Sequence, residues 1–204
     1  MPATPAKPAP EVAAAQRSSR AKLWLILAIC AAPVFASYYT YYYVRPQARS
    51  NYGDLIEPQR PTPHLSLKQL DGRSFEVASL KGKWVMLMVD GGACGKSCQD
   101  KLYHIRQVRL TTGNDRDRIE RVWLITDDVS PASVLMQEYE GTLMLRANRS
   151  ELTAWLPTEG STSVVDHIYI VDPLGNLMMR FPKNADPNNT KKDIARLLRA
   201  SDIG

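Results

Sequence analysis

Cysteine and histidine are scarce in this chain, three of each in 204 residues. A structural zinc, which wants four ligands, therefore has few ways to be assembled. An excess of one charge is missing too. The formal net charge is +5, but residues 1–45 carry five basic side chains against Glu11 alone, and residues 46–204 hold 21 basic and 20 acidic ones. No basic domain is left to grip nucleic acid, and no nucleic-acid partner is expected. Repeats and low-complexity tracts are absent from His64 onward, which excludes a repeat array. At 44% hydrophobic and 23% charged residues, the bulk is neither collagen-like nor wholly disordered, and its length suits one domain with extensions.

Large apolar side chains are nearly missing from residues 1–22, which include seven alanines and four prolines. Such a segment buries too little to offset the entropy of ordering and reads as a disordered tail. Residues 23–44 (LWLILAICAAPVFASYYTYYYV) then run without a charge. At 1.5 Å per residue this is about 33 Å, enough for one transmembrane helix. Tyr38, Tyr39, Tyr41, Tyr42 and Tyr43 at its end suit an interfacial belt, and Pro33 is a candidate kink. A cleaved signal peptide is the competing reading, with Val34-Phe35-Ala36 as the cleavage site; the long preceding tail argues against it. A lipoprotein fits less well, because Ile29 precedes Cys30. Pro46, Pro58, Pro61 and Pro63 make residues 45–63 read as a stiff tether.

Residues 64–204 read as one domain. Leu65 to Val77 folds as a hairpin at Asp71-Gly72, and Trp84–Val89 and Val122–Thr126 are continuously apolar, as in strands buried on both faces. Ser97-Cys98-Gln99-Asp100 fits a capping box for a helix with Leu102, Ile105 and Val108 inward. Ser130-Pro131 and Ser150 open two more helices, Val164–Val171 and Leu177–Phe181 form a second hairpin, and Thr190-Lys191-Lys192-Asp193 caps a last helix. Strands alternating with helices and ending in an antiparallel pair predict an α/β sandwich.

Cys30 lies in the span, where a thiol is a small apolar side chain. Cys94 and Cys98 are a pair, in GGACGKSC between a buried strand and a helix. Three glycines give that loop little apolar cover, so burial as inert thiols is not expected. Cys98 falls in the first helical turn, where free N–H groups favour a thiolate. A structural disulfide is one alternative, although so short a loop adds little stability. Disulfide exchange is another. A third follows from the spacing, since three intervening residues let both sulfurs converge on a soft ion, and two thiolates with one imidazole suit Cu(I). His64 lies in the tether and His104 is turned about 240° from Cys98 on the helix, so both are expected in solvent. His167 stands near the start of an apolar strand, on the rim where the cysteine loop arrives; a hydrogen-bonded core histidine is the plainer alternative.

Span, tether, Cys94-x-x-x-Cys98 and the distal Val165-Asp166-His167 together resemble the Sco/SenC family of copper proteins, over about residues 23–200. The resemblance implies a thioredoxin-like sandwich with a central mixed sheet and flanking helices, behind one N-terminal transmembrane helix. It implies copper, as Cu(I) or Cu(II), on Cys94, Cys98 and His167. It also implies a bacterial inner-membrane protein with a cytoplasmic tail and a periplasmic domain, a setting where disulfides persist. The implied partners are the copper-bearing subunit of cytochrome c oxidase and other periplasmic copper or thiol proteins. The family's prolines in and after the motif are replaced by Gly95-Lys96-Ser97 and Gln99, which marks a divergent branch.

Two functions follow, a membrane-anchored metallochaperone and a thiol-disulfide oxidoreductase in which Cys94 attacks and Cys98 resolves. A thiol peroxidase is weaker, since no threonine lies just upstream of Cys94. Asp127 and Asp128, after the second core strand, are candidate outer-sphere groups.

Overall fold

The computed structural model describes residues 10–44, 51–201 and 203. The expectations for residues 1–9 and 45–50 lie outside the described residues. Two units, Met1–Arg49 and Ser50–Gly204, are each taken by themselves.

The first is helix α1 (Pro10–Tyr39), ending in a π-helical turn at Thr40–Val44. Within it Lys22–Tyr43, of mean hydropathy 1.7, is long and apolar enough to cross a membrane. The helix begins well inside the segment read as a tail. Alanine is the strongest helix former, and extending an existing helix avoids the cost of a new nucleus. The tyrosines stack along the last turns, Tyr38 on Tyr42 and Tyr39 on Tyr43.

The second unit is built on one mixed sheet of eight strands: β1 (Asp54–Pro61), β2 (Leu67–Gln69), β3 (Ser74–Phe75), β4 (Trp84–Asp90), β5 (Ile119–Ile125), β6 (Thr142–Arg146), β7 (Ile168–Val171) and β8 (Asn176–Arg180). Their spatial order is β1-β8-β7-β4-β5-β6-β2-β3. Strand β4 is central, parallel to β5 and antiparallel to β7. Its two-residue period divides the core. Trp84, Met86 and Met88 face helices α2 (Lys96–Thr111) and α5 (Pro187–Ala200), whereas Val85, Leu87 and Val89 pack with Leu152 and Trp155 of α4 (Arg149–Trp155).

The expected α/β sandwich is present, with several local differences. Residues 54–61, read as tether, are the edge strand β1, paired with β8 across a bulge between Leu55 and Arg60. Ile56 gives this strand a buried anchor, and Pro58 and Pro61 are tolerated because an edge strand has unpaired N–H positions to give up. Strand β6 occupies residues that carried no assignment. Helix α3 (Ser133–Glu138) has Ala132 as its N-cap, two residues after Ser130. Helix α5 is capped by Asp186, whose side chain accepts from the Asn188 N–H (2.8 Å), with Pro187 in the first turn, so the Thr190 box is not used. Residues 164–166 form a short 3-10 turn, and β7 starts only at Ile168.

Candidate metal and dithiol site

Strand β4 ends at Asp90 and the chain turns through Gly91-Gly92-Ala93-Cys94-Gly95 into α2. Gly95 is the N-cap and supplies no side-chain acceptor, so the Ser97 capping box does not form. Cys98 is the third residue of the helix, among the unpaired N–H groups that stabilise a thiolate. Cys94 and Cys98 are joined by a disulfide, with Cα atoms 5.1 Å apart. Contrary to the expectation from the loop's glycines, both are buried, at 3% and 1% exposure, within the α2-side core. The cover comes from the sheet and α2 rather than from the loop itself. Cys94 sits at φ 42°, a left-handed conformation uncommon outside glycine. Its carbonyl accepts from Gln99 Nε2 at 3.0 Å and its N–H donates to the Gly91 carbonyl at 3.2 Å.

Asp127 braces this loop. Its Oδ1 accepts from the N–H groups of Gly92 (2.8 Å) and Val129 (3.2 Å), which gives the outer-sphere candidate a definite task. For Asp128 nothing in the structure indicates a role.

His167 lies on the same rim because β7 runs antiparallel to β4, with Ile168 opposite Met88. The ring is fully buried. Nδ1 is 2.8 Å from the Phe181 carbonyl oxygen, which can only accept, so Nδ1 carries a proton. Nε2 is 2.7 Å from Thr162 Oγ1. Burial, its strongest influence, pushes the His167 pKa below the usual imidazole value against the opposing pull of the Phe181 bond. The neutral ring therefore presents a lone pair at Nε2. The single Thr162 hydroxyl proton is shared between that nitrogen and the Glu159 carbonyl, 2.6 Å from Oγ1. Asp166 closes the preceding turn with Ser163, and the Ser163 N–H and Lys183 hold its carboxyl below the usual range.

One further residue ties the two halves together. Lys101 Nζ donates to Asp90 Oδ2 (2.7 Å), to the Val89 carbonyl (3.1 Å) and to the Val165 carbonyl. It joins the end of β4, the helix of Cys98 and the turn before His167. The sequence carried a signal for it, a lysine three residues after Cys98 on the inward stripe of α2. Thr162 and the Phe181 carbonyl had none.

Of the remaining histidines, His64 is exposed as expected. His104 is not. It is 7% exposed with Nε2 unpartnered, because the flank of α2 turned away from the cysteines is covered by α5 and the loop before it. Burial lowers its pKa, with Asp186 opposing.

Reduced, the three side chains would offer two thiolates and an imidazole held by a backbone acceptor, a donor set whose chemistry suits copper(I). In the oxidised form the sulfurs are bonded to each other. Among the described residues no group of three or more His, Cys, Asp or Glu side chains is arranged to hold a metal ion, so Cys94, Cys98 and His167 are not assembled as a ligand set in this structure.

A disulfide at the first turn of a helix that follows a central strand of a mixed sheet defines a thioredoxin-like protein. The model of the transmembrane-like, thioredoxin-like, C-terminal domain family matches residues 84–201, over half of the chain, and the chain belongs to that family. No curated protein matches it. Solved structures of similar fold include yeast Sco1 with copper bound, at 15% identity and a TM-score of 0.55, covering 72% of this chain and 96% of that one. Another is Arabidopsis thaliana ScoI with copper bound, at 18% identity and a TM-score of 0.52, covering 74% and 99%. Apo Sco1 from Thermus thermophilus aligns at 13% identity and a TM-score of 0.55, covering 76% and 98%. At these identities the likeness establishes the fold.

Proposed function

We propose that this chain is a membrane-anchored copper chaperone that carries copper(I) on Cys94, Cys98 and His167 and passes it by ligand exchange to a copper-bearing subunit of cytochrome c oxidase. The observation that supports the reading is the His167 ring, neutral with its Nδ1–H fixed on the Phe181 carbonyl, at the end of the sheet where the cysteine loop leaves β4. The copper-bound proteins that share the fold support it. Loading is conditional on redox state. Two electrons must first open the Cys94–Cys98 bond, and the oxidised protein carries no cargo. The span at residues 23–44 would hold the domain at the bacterial inner membrane, on its periplasmic side.

A competition titration against a Cu(I) chelator tests this. The reduced protein is expected to bind one Cu(I) and the oxidised protein none. His167→Ala should weaken binding by more than the roughly 10–100-fold that outer-shell changes cost, with the dithiol still oxidising normally. Equal affinities for variant and wild type would remove copper carriage from the account.

The disulfide itself favours a second reading, thiol-disulfide exchange with a partner. A partner dithiol would lose two electrons and two protons to Cys94–Cys98 through a mixed disulfide. That activity does not need His167.

A further inference from the structure

Helix α5 has two unlike faces. Ile194 and Leu198 are buried against the sheet and α2, whereas Lys191, Lys192, Arg196 and Arg199 are exposed. At 3.6 residues per turn these four cations fall within an arc of about 140° on the solvent side. No exposed carboxylate interrupts them. The one acid inside the helix, Asp193, is 2% exposed and accepts from the Gly53 N–H at 2.8 Å, with Arg196 Nη1 3.7 Å from its other oxygen. Lys192 Nζ donates to Asn189 Oδ1 (3.3 Å) and Arg199 Nε to the Ala195 carbonyl (3.0 Å), partners that leave both charges uncompensated. Residues 46–204 are nearly balanced in sign, 21 basic side chains against 20 acidic ones, so this row is a local concentration of charge and not a share of a general excess.

The chain enters the domain beside this helix. Besides the Gly53–Asp193 bond, the Tyr52 hydroxyl accepts from the N–H of Asp186, the α5 N-cap, at 2.9 Å, and the Tyr52 ring lies 6.3 Å from that of Phe181. Seven residues, 44–50, separate Asn51 from the apolar span that ends at Tyr43. Even fully extended, that many residues reach no further than about 30 Å. Arg45 and Arg49 lie among them, with no acidic residue. A bilayer crossed by the span is thus held within that reach of the point where the chain meets α5.

From the basic row and its place at the chain's entry we infer that the solvent face of α5 docks on the anionic phospholipid headgroups of the membrane that the span anchors, with Lys191, Lys192, Arg196 and Arg199 as the contacting cations. A row of long cationic side chains matches a plane of phosphates and asks for no shaped partner. Each basic residue near such a surface strengthens binding by about fivefold. The inference rests on the membrane anchoring proposed above and not on copper carriage.

The full chain can be reconstituted in nanodiscs of phosphatidylcholine with and without phosphatidylglycerol, each holding a trace of phospholipid with a diazirine on its headgroup. After irradiation the adducts are mapped by peptide mass spectrometry, and label on residues 187–200 is expressed relative to label on residues 38–43 of the same molecule. The expected ratio is at least about fivefold higher in the anionic discs than in the zwitterionic ones. Raising the salt to about 1 M, where the Debye length is near 3 Å, should remove the gain. So should the combined substitution Lys191→Gln, Lys192→Gln and Arg199→Gln, whose folding is checked by circular dichroism; if that protein fails to fold, the lipid and salt arms on the unaltered chain still decide. A ratio that is the same in both lipids, or is kept by the folded variant, reflects nearness imposed by the tether and overturns the docking. Residues 187–200 left unlabelled beside labelled residues 38–43 also overturn it and leave the basic row to an acidic protein partner. Absence of label at residues 38–43 overturns the anchoring, and the docking with it.

Discussion

Gly92 has no room for a side chain. A Cβ there would stand 1.9 Å from the Val129 carbonyl oxygen, which is backbone and cannot swing away. At Gly91 the nearest atom is Asp127 Oδ2, at 2.4 Å, the end of a side chain. Gly92→Ala should therefore cost more than Gly91→Ala, reaching the upper part of the roughly 1–3 kcal/mol typical of overpacking. Asp127→Ala strips the Gly92 N–H of its acceptor and should cost about 1–3 kcal/mol, while Asp127→Asn, which keeps an oxygen, costs less. Urea midpoints of the four variants check this order. The buried histidines set a pH dependence. Folding lowers the pKa of both His104 and His167 below 6.5, so in that window the unfolded chain binds more protons and stability falls as pH falls. The slope is at most about 1.4 kcal/mol per pH unit for each histidine. Urea titrations between pH 7.5 and 5.5 should show it, and His104→Leu should flatten it.

At the scale of single elements, what was legible followed from uninterrupted pattern. Trp84–Val89 is apolar at every position because both faces of β4 are covered, and no other arrangement of a short run explains it so simply. Helix boundaries were less legible. Helix α2 is capped by a glycine and α5 by Asp186, four residues ahead of the nearest capping-box sequence, since a serine or threonine only permits a cap that the tertiary path then uses or bypasses. His104 was misplaced for a related reason. Periodicity tells which flank of α2 faces away from Cys98, but not that α5 covers that flank. Lys101 binds elements whose contact the sequence does not show. Lys101→Met leaves Asp90 without its cation and should cost less than the roughly 3 kcal/mol at the low end for a fully buried pair, since this one is part-buried. It should also weaken Cu(I) binding by loosening the Val165 turn, and Lys101→Arg should recover part of that affinity in the same chelator competition.

Across the whole chain, the order of span, sheet and helices was readable, but the start of the globular unit was not, because prolines obscured β1. That strand is integral. Gly53 N–H donates to the buried carboxylate of Asp193 at 2.8 Å, and Asp54 pairs with Arg180 at 2.9 Å. A fragment beginning at His64 should accordingly be less stable than one beginning at Asn51 by several kcal/mol, since removing Ile56 and Gly53 exposes β8 and takes the Gly53 N–H from the buried Asp193 carboxylate. Guanidinium unfolding of both fragments measures the difference. The antiparallel return of β7 has a consequence in time. Sixty-nine positions separate Cys98 from His167, and the carbonyl that fixes the imidazole belongs to Phe181, later still. At about 5–20 residues per second, ribosomes finish the cysteine pair several seconds before His167 exists. In that interval the nascent chain carries the dithiol without the histidine, and an oxidant met then would find the sulfurs unguarded. On the copper reading proposed above, a newborn protein closed by that disulfide would need a reductant before it could load.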